Sequence, residues 1–86
     1  MSIADIKKLL GKDKLLFGAD RALKSLRKGL LEKVYIASNT KEETKKSIID
    51  YAKLSGAKVE ELKIPNDELG TACRKPFSIS VIGVLK

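Results

Sequence analysis

Histidine and tryptophan are absent from this chain, and cysteine occurs once, at Cys73. A lone thiol forms no internal disulfide, so nothing calls for an oxidising compartment. Without histidine or a second cysteine, zinc sites of the usual Cys/His types are excluded. Cys73 also has no imidazole to activate it as a nucleophile, and reads as a small packing residue at a helix end. Gly18 resembles the start of a phosphate-binding turn, but the next glycine is Gly29, and neither a dinucleotide fingerprint nor a Walker sequence follows. The adjacent pairs Glu42–Glu43 and Glu60–Glu61 do not converge on one point in a helix or strand, and read as solvated charges. No catalytic residue, metal or cofactor is expected. No apolar run approaches the ~20 residues of a membrane span, and no signal-peptide pattern opens the chain, so a soluble cytoplasmic protein is expected.

Aromatic side chains are few: Phe17, Tyr35, Tyr51 and Phe77. The core of this single domain, residues 1–86, must therefore be aliphatic. What is abundant is positive charge, with 18 basic residues against 11 acidic ones and a net charge of +7. Such a balance attracts polyanions through screened Coulomb forces and counterion release. Nine of the basic residues fall between Lys7 and Lys33, against Asp13, Asp20 and Glu32. From Val34 to Ala72 the signs nearly cancel, and Arg74, Lys75 and Lys86 then add charge. A lysine-rich surface that merely confers solubility is the plain alternative. The clustering favours a ligand.

Periodicity divides the chain into alternating helices and strands. Ser2 caps a helix to Leu10, which Gly11 stops. Lys14–Phe17 reads as a strand. Gly18 opens a second helix to Lys28, ended by Gly29, with Ala19, Ala22, Leu23, Leu26 and Leu30 on one face. Arg21, Lys24, Ser25 and Lys28 occupy the other. Lys33–Ala37 is a strand whose successive Val34, Tyr35 and Ile36 imply burial on both faces. Thr40-Lys-Glu-Glu43 is a capping box for the longest helix, with Ile48, Ile49, Ala52 and Leu54 as its apolar stripe and Gly56 at its end. Lys58–Ile64 holds a strand that its two glutamates place near a sheet edge. Asn66 caps a short helix to Cys73. Arg74–Pro76 form a loop before a final strand, Phe77–Leu85. This alternation predicts an α/β fold with helices on both faces of a sheet and mostly parallel crossovers.

In such a fold, strand ends and helix starts gather along one rim. Four segments are expected there: Gly18–Arg21, Ser38–Thr40, Asn66–Asp67 and Arg74–Phe77. Helix amides suit phosphates, Asn and Asp suit base edges, and Lys24 and Lys28 extend the basic surface. Phe77, beside Arg74 and Lys75, suits stacking on an unpaired base. Each residue also has a plain reading. Gly18 allows either close helix–strand packing or backbone approach to RNA. Asp20 fits a first helical turn, Lys24 and Lys28 a solvated face, Asn39 the support of a turn, and Phe77 the start of the last core strand. Their convergence favours RNA.

Four blocks then resemble a known family. They are Leu16-Phe-Gly-Ala-Asp-Arg-Ala-Leu-Lys24 continuing to Gly29, Lys33-Val-Tyr-Ile-Ala-Ser-Asn-Thr40, Tyr51-Ala-Lys-Leu-Ser-Gly56, and Asp67-Glu-Leu-Gly-Thr-Ala-Cys73. In this order they are similar to the kink-turn-binding ribosomal proteins, the L-thirty-e and L-seven-Ae family, and the last two lean towards the L-thirty-e branch. The resemblance implies a three-layer α/β/α sandwich with a four-stranded mixed sheet. It also implies binding to a sharply bent RNA loop with tandem sheared G·A pairs. Gly18, Ala19, Asp20, Arg21, Lys24 and Lys28 would then face the bend, with Asn39 assisting. Ala72, Cys73, Arg74, Lys75 and Phe77 would embrace an extruded nucleotide. Asp20 stands where many members have asparagine, and Arg74 where many have glycine. The expected function is a non-catalytic ribosomal RNA-binding protein in the cytoplasm, among other ribosomal or ribonucleoprotein subunits and away from membranes. The alternatives are a subunit of an RNA-processing particle, or a protein-interaction domain of the same fold that has lost RNA binding.

Overall fold

The computed structural model describes residues 15–86. The helix expected over Ser2–Leu10 lies outside them, as does Lys14. The described elements run β1 (Leu15–Phe17), α1 (Ala19–Arg27), β2 (Leu31–Ile36), α2 (Glu42–Ser55), β3 (Lys58–Glu61), α3 (Asn66–Ala72) and β4 (Val81–Leu85). The strands form one sheet in the order β1-β4-β2-β3. β2 pairs with β3 in parallel, while β4 lies antiparallel to both β1 and β2. The expectation of mostly parallel crossovers therefore holds for β1-α1-β2 and β2-α2-β3 and fails for the last connection. β4 runs backwards between β1 and β2, so the sheet is mixed. As its glutamates implied, β3 sits at an edge.

Alternation along the central strands produces two cores. Val34, Ile36 and Val81 face one side, where they meet Ala22 and Leu26 of α1 and Ile48 and Ala52 of α2. Tyr35, Ala37, Ile82 and Val84 face the other, against Leu69 and Cys73 of α3. The arrangement is a three-layer α/β/α sandwich. Val34, Tyr35 and Ile36 are all buried, as their succession implied. A full burial of a side chain such as Leu26 contributes roughly 1.5–3 kcal/mol. Simple alternation would send Leu31 to the α3 side, but a register shift between Leu31 and Lys33 turns it towards α1 and α2. Gly83 on β4 leaves room for it: a Cβ there would stand 2.7 Å from Leu31 Cδ1.

Several sequence expectations need correction. Leu30 follows the α1 terminus and is 48% exposed, rather than part of the helix's core face. Leu54 is 84% exposed, because Ile48 and Ala52 define the buried stripe of α2 and Leu54 lies outside it. Thr40 does not close a capping box. Its hydroxyl donates to the Ser80 carbonyl at 3.1 Å, and Lys41 occupies the N-cap without a side-chain hydrogen bond. Pro65, not Asn66, is the N-cap of α3. The final strand starts at Val81, since residues 77–80 turn onto α3, where the Ile79 amide donates to the Asn66 carbonyl at 3.0 Å. Gly56, with φ of 79°, ends α2 in the left-handed conformation expected of it. Among the described residues no helix is long and apolar enough to cross a membrane.

Candidate nucleic-acid interface

β1 delivers the chain to Gly18, whose φ of 110° is open to glycine and strained for other residues. A Cβ on Gly18 would meet nothing within 4 Å, so the requirement is conformational and close helix–strand packing does not explain it. The Gly18 amide donates to the Val81 carbonyl at 2.9 Å, tying the start of α1 to the start of β4. Its carbonyl accepts the Ala22 amide at 3.1 Å. Ala19 is half-buried against the core, whereas Asp20, Arg21 and Lys24 are exposed. Asp20 sits in the first turn of α1, where the helix dipole favours an acid. Lys28 is exposed at the far end, as the C-cap.

The turn after β2 is fastened to the same rim. Ala37 donates its amide to Ser80 at 2.8 Å, and Ser38 donates its amide to Ile64 at 2.8 Å. The Asn39 side chain makes two bonds to Asn66: Nδ2 donates to Asn66 Oδ1 at 3.0 Å, and Oδ1 accepts the Asn66 amide at 2.9 Å. Asn39 thus serves the free amide at the start of α3, a capping role the sequence pattern assigned to Asn66. This pair also settles where Asn66 and Asp67 lie. They share the rim with Asn39.

The late loop arrives by a different contact. Lys75 Nζ lies 4.8 Å from the centroid of the Phe17 ring, a cation–π distance, and Phe17 immediately precedes Gly18. The loop is held on α3 by bonds from the Arg74 amide to Thr71 at 3.0 Å and from the Lys75 amide to Gly70 at 2.9 Å. Phe77 is 54% exposed, not the first core residue of a strand, and it lines a shallow depression with Asp67, Thr71 and Lys75. Arg74 has φ of 59°, the left-handed conformation. The loop thereby keeps the backbone shape a glycine would allow, at a cost of about 1–3 kcal/mol. Replacing Arg74 by glycine is expected to raise stability by about 1 kcal/mol, measured as a higher urea midpoint.

The structure therefore brings together Gly18–Arg21, Asn39, Asn66–Asp67 and Lys75–Phe77. Lys24 extends from that group along α1, and Lys28 stands apart from it. Ala72 is half-buried, and Cys73 is 2% exposed within the α3-side core, so the Cys73 thiol does not reach the rim. Burial pushes the Cys73 thiol above its ordinary pKa, against the opposing pull of Lys75. A raised folded pKa means stability is lost as pH rises past the unfolded thiol's range, and the thiolate is scarce near neutrality. Cys73 is accordingly expected to resist iodoacetamide at pH 8 in the native state and to react on unfolding in urea; mass spectrometry reads the adduct. Fast native labelling would contradict the packing role.

Lys33, counted with the basic cluster in the sequence, is otherwise engaged. It pairs with Glu60 at 3.3 Å and lies 4.8 Å from the Tyr35 ring centroid. No such ion pair holds Arg21, Lys24, Arg74 or Lys75 among the described residues. Sequence reasoning missed Phe17 as the seat of Lys75, a long-range pair that no local pattern marks.

Residues 3–86 match the profile of the family described as ribosomal protein L7Ae/L30e/S12e/Gadd45. A large ribosomal subunit protein eL30 from Saccharolobus solfataricus is 41% identical over 81 residues, covering 94% of this chain and 75% of that protein. Among solved structures, a protein of unknown function from Bacillus halodurans superposes with a TM-score of 0.87 at 24% identity, covering 98% of this chain and 83% of that one. A 15.5 kDa RNA-binding protein of Giardia lamblia gives a TM-score of 0.75 at 22% identity, over 94% of this chain and 68% of its own. At these identities the two structures establish a shared fold.

Proposed function

The chain belongs to the ribosomal protein L7Ae/L30e/S12e/Gadd45 family, and on that premise we propose that it is a non-catalytic ribosomal RNA-binding protein that holds a kink-turn in its bent form. The eL30 relative is of the branch that the third and fourth sequence blocks resemble. A place in the ribosome brings ribosomal RNA and neighbouring ribosomal proteins as partners, and a cytoplasmic location with them. The observation that carries the reading is the meeting of the Gly18 helix start with the Lys75 loop through the Phe17 ring.

On this reading Gly18 lets RNA backbone approach the exposed start of α1, where amides and the helix dipole favour phosphate. Arg21 and Lys24 supply exposed cations that form no ion pair among the described residues, so they can contribute counterion release. Asp20 offers acceptors to a base edge where an asparagine would offer a donor as well. Phe77 presents a free ring face to a nucleotide swung out of the bend, with Lys75 and Arg74 beside it. Asn39 acts mainly by fixing the α3 start, and so supports the rim rather than reading bases itself.

The decisive experiment is a gel shift with a generic kink-turn RNA beside the same RNA lacking its tandem G·A pairs. A strong preference for the intact bend is expected. Equal affinity for both would reduce the function to unspecific attraction, and no binding to either would favour a protein-interaction domain of this fold.

A further inference from the structure

The far end of α1 carries a second surface feature that RNA binding at the rim does not use. A groove runs between the last turn of α1 and the last turn of α2, lined by Leu26, Arg27, Lys28, Tyr51, Leu54 and Ser55. Its apolar part is prominent: Leu54 is 84% exposed, and Tyr51 is half-buried beside it. Its charge is of one sign. Arg27 and Lys28 form the wall on the α1 side, and among the described residues no carboxylate lines it and neither cation is ion-paired. The Arg27 guanidinium lies 5.9 Å from the Tyr51 ring centroid.

We propose that this groove docks an acidic protein segment bearing an apolar anchor, with the anchor on Leu54 and its carboxylates on Arg27 and Lys28. Three features select this occupant. Arg27 already covers the Tyr51 ring and Leu54 has no π-face, so the groove offers little to a stacked base. A chain of net charge +7 whose groove adds two cations opposes docking of a second copy. An apolar floor rimmed by free cations complements an amphipathic acidic segment, with electrostatics steering encounter and the leucine supplying the buried contact. The groove lies at the opposite end of α1 from Gly18, so it does not rest on the RNA reading.

The test uses the full chain, 15N-labelled, titrated with a synthetic helix-forming peptide of glutamates and leucines, and with a control in which serine replaces the leucines. Amide shifts confined to Arg27–Gly29 and Tyr51–Ser55 are expected with the first peptide. Leu54→Ser and Arg27→Ala should each weaken that binding about tenfold, while Leu54→Ser leaves kink-turn affinity and the circular dichroism spectrum unchanged. The proposal is overturned by equal binding of the serine control, by peptide shifts at Gly18–Lys24 and Phe77 instead, by shifts in the groove with RNA alone, or by concentration-dependent self-association through Leu54.

Discussion

Gly70→Ala is expected to cost about 1–3 kcal/mol of folding stability, although alanine is the better helix former by about 1 kcal/mol. The reason is contact rather than conformation. A Cβ on Gly70 falls onto the Phe77 carbonyl oxygen, with the Phe77 carbonyl carbon at 3.1 Å and Ser78 Cα at 3.3 Å. All three are backbone atoms, and no rotamer change moves them aside. Relief requires either α3 to withdraw, disturbing Leu69 and Cys73 in the core, or the 77–78 segment to lift away. The second route displaces Phe77 and loosens the Lys75 amide bond to Gly70. A lower urea midpoint at unchanged slope should therefore accompany weaker binding to a kink-turn. A midpoint equal to or above the parent's would show that the loop gives way freely and that Gly70 is not there for close approach.

The same glycine shows how far the sequence could be read. Gly70 stands inside the Asp67–Cys73 block that carried the resemblance, but nothing in that block says which backbone approaches it. Gly29 and Gly56 were legible because local rules govern helix ends, and both adopt positive φ. The layering was legible too, since Val34, Tyr35 and Ile36 declared burial on two faces. Strand direction was not. Whether β4 enters parallel or antiparallel depends on where the loop after α3 returns, and Phe77 in that loop looked like a strand residue by composition alone. Thr40 failed for a related reason: the helix starts one residue later, with Lys41 as its N-cap, and the Thr40 hydroxyl is turned to donate to the Ser80 carbonyl forty positions away. Local patterns lose wherever a distant backbone atom arrives first.

For the candidate site, the charges and the Gly18 turn were visible because they cluster in sequence. What joins them was not visible, since Phe17–Lys75 and Asn39–Asn66 are long-range pairs between residues with ordinary neighbours. Arg74 makes the complementary point. It stands where the resemblance leads one to expect glycine, and it takes up the left-handed conformation that a glycine reaches without strain.

Lys24→Ala is expected to weaken binding to a kink-turn by about 1–3 kcal/mol and to reduce the salt slope by about one. Lys24 is exposed on α1, so stability should stay within about 0.5 kcal/mol of the parent's. The informative comparison is Lys53→Ala, which removes the same charge from the exposed end of α2. Each substitution lowers the net charge equally, so a purely diffuse attraction would penalise both alike. A cation standing one turn beyond Asp20, close to the grouped rim, should instead cost much more at low and high salt. Titrations at two salt concentrations separate the cases, because the diffuse contribution shrinks with screening while a contact to a particular phosphate persists. Equal losses from the two variants would mean that the positive rim attracts RNA without positioning it.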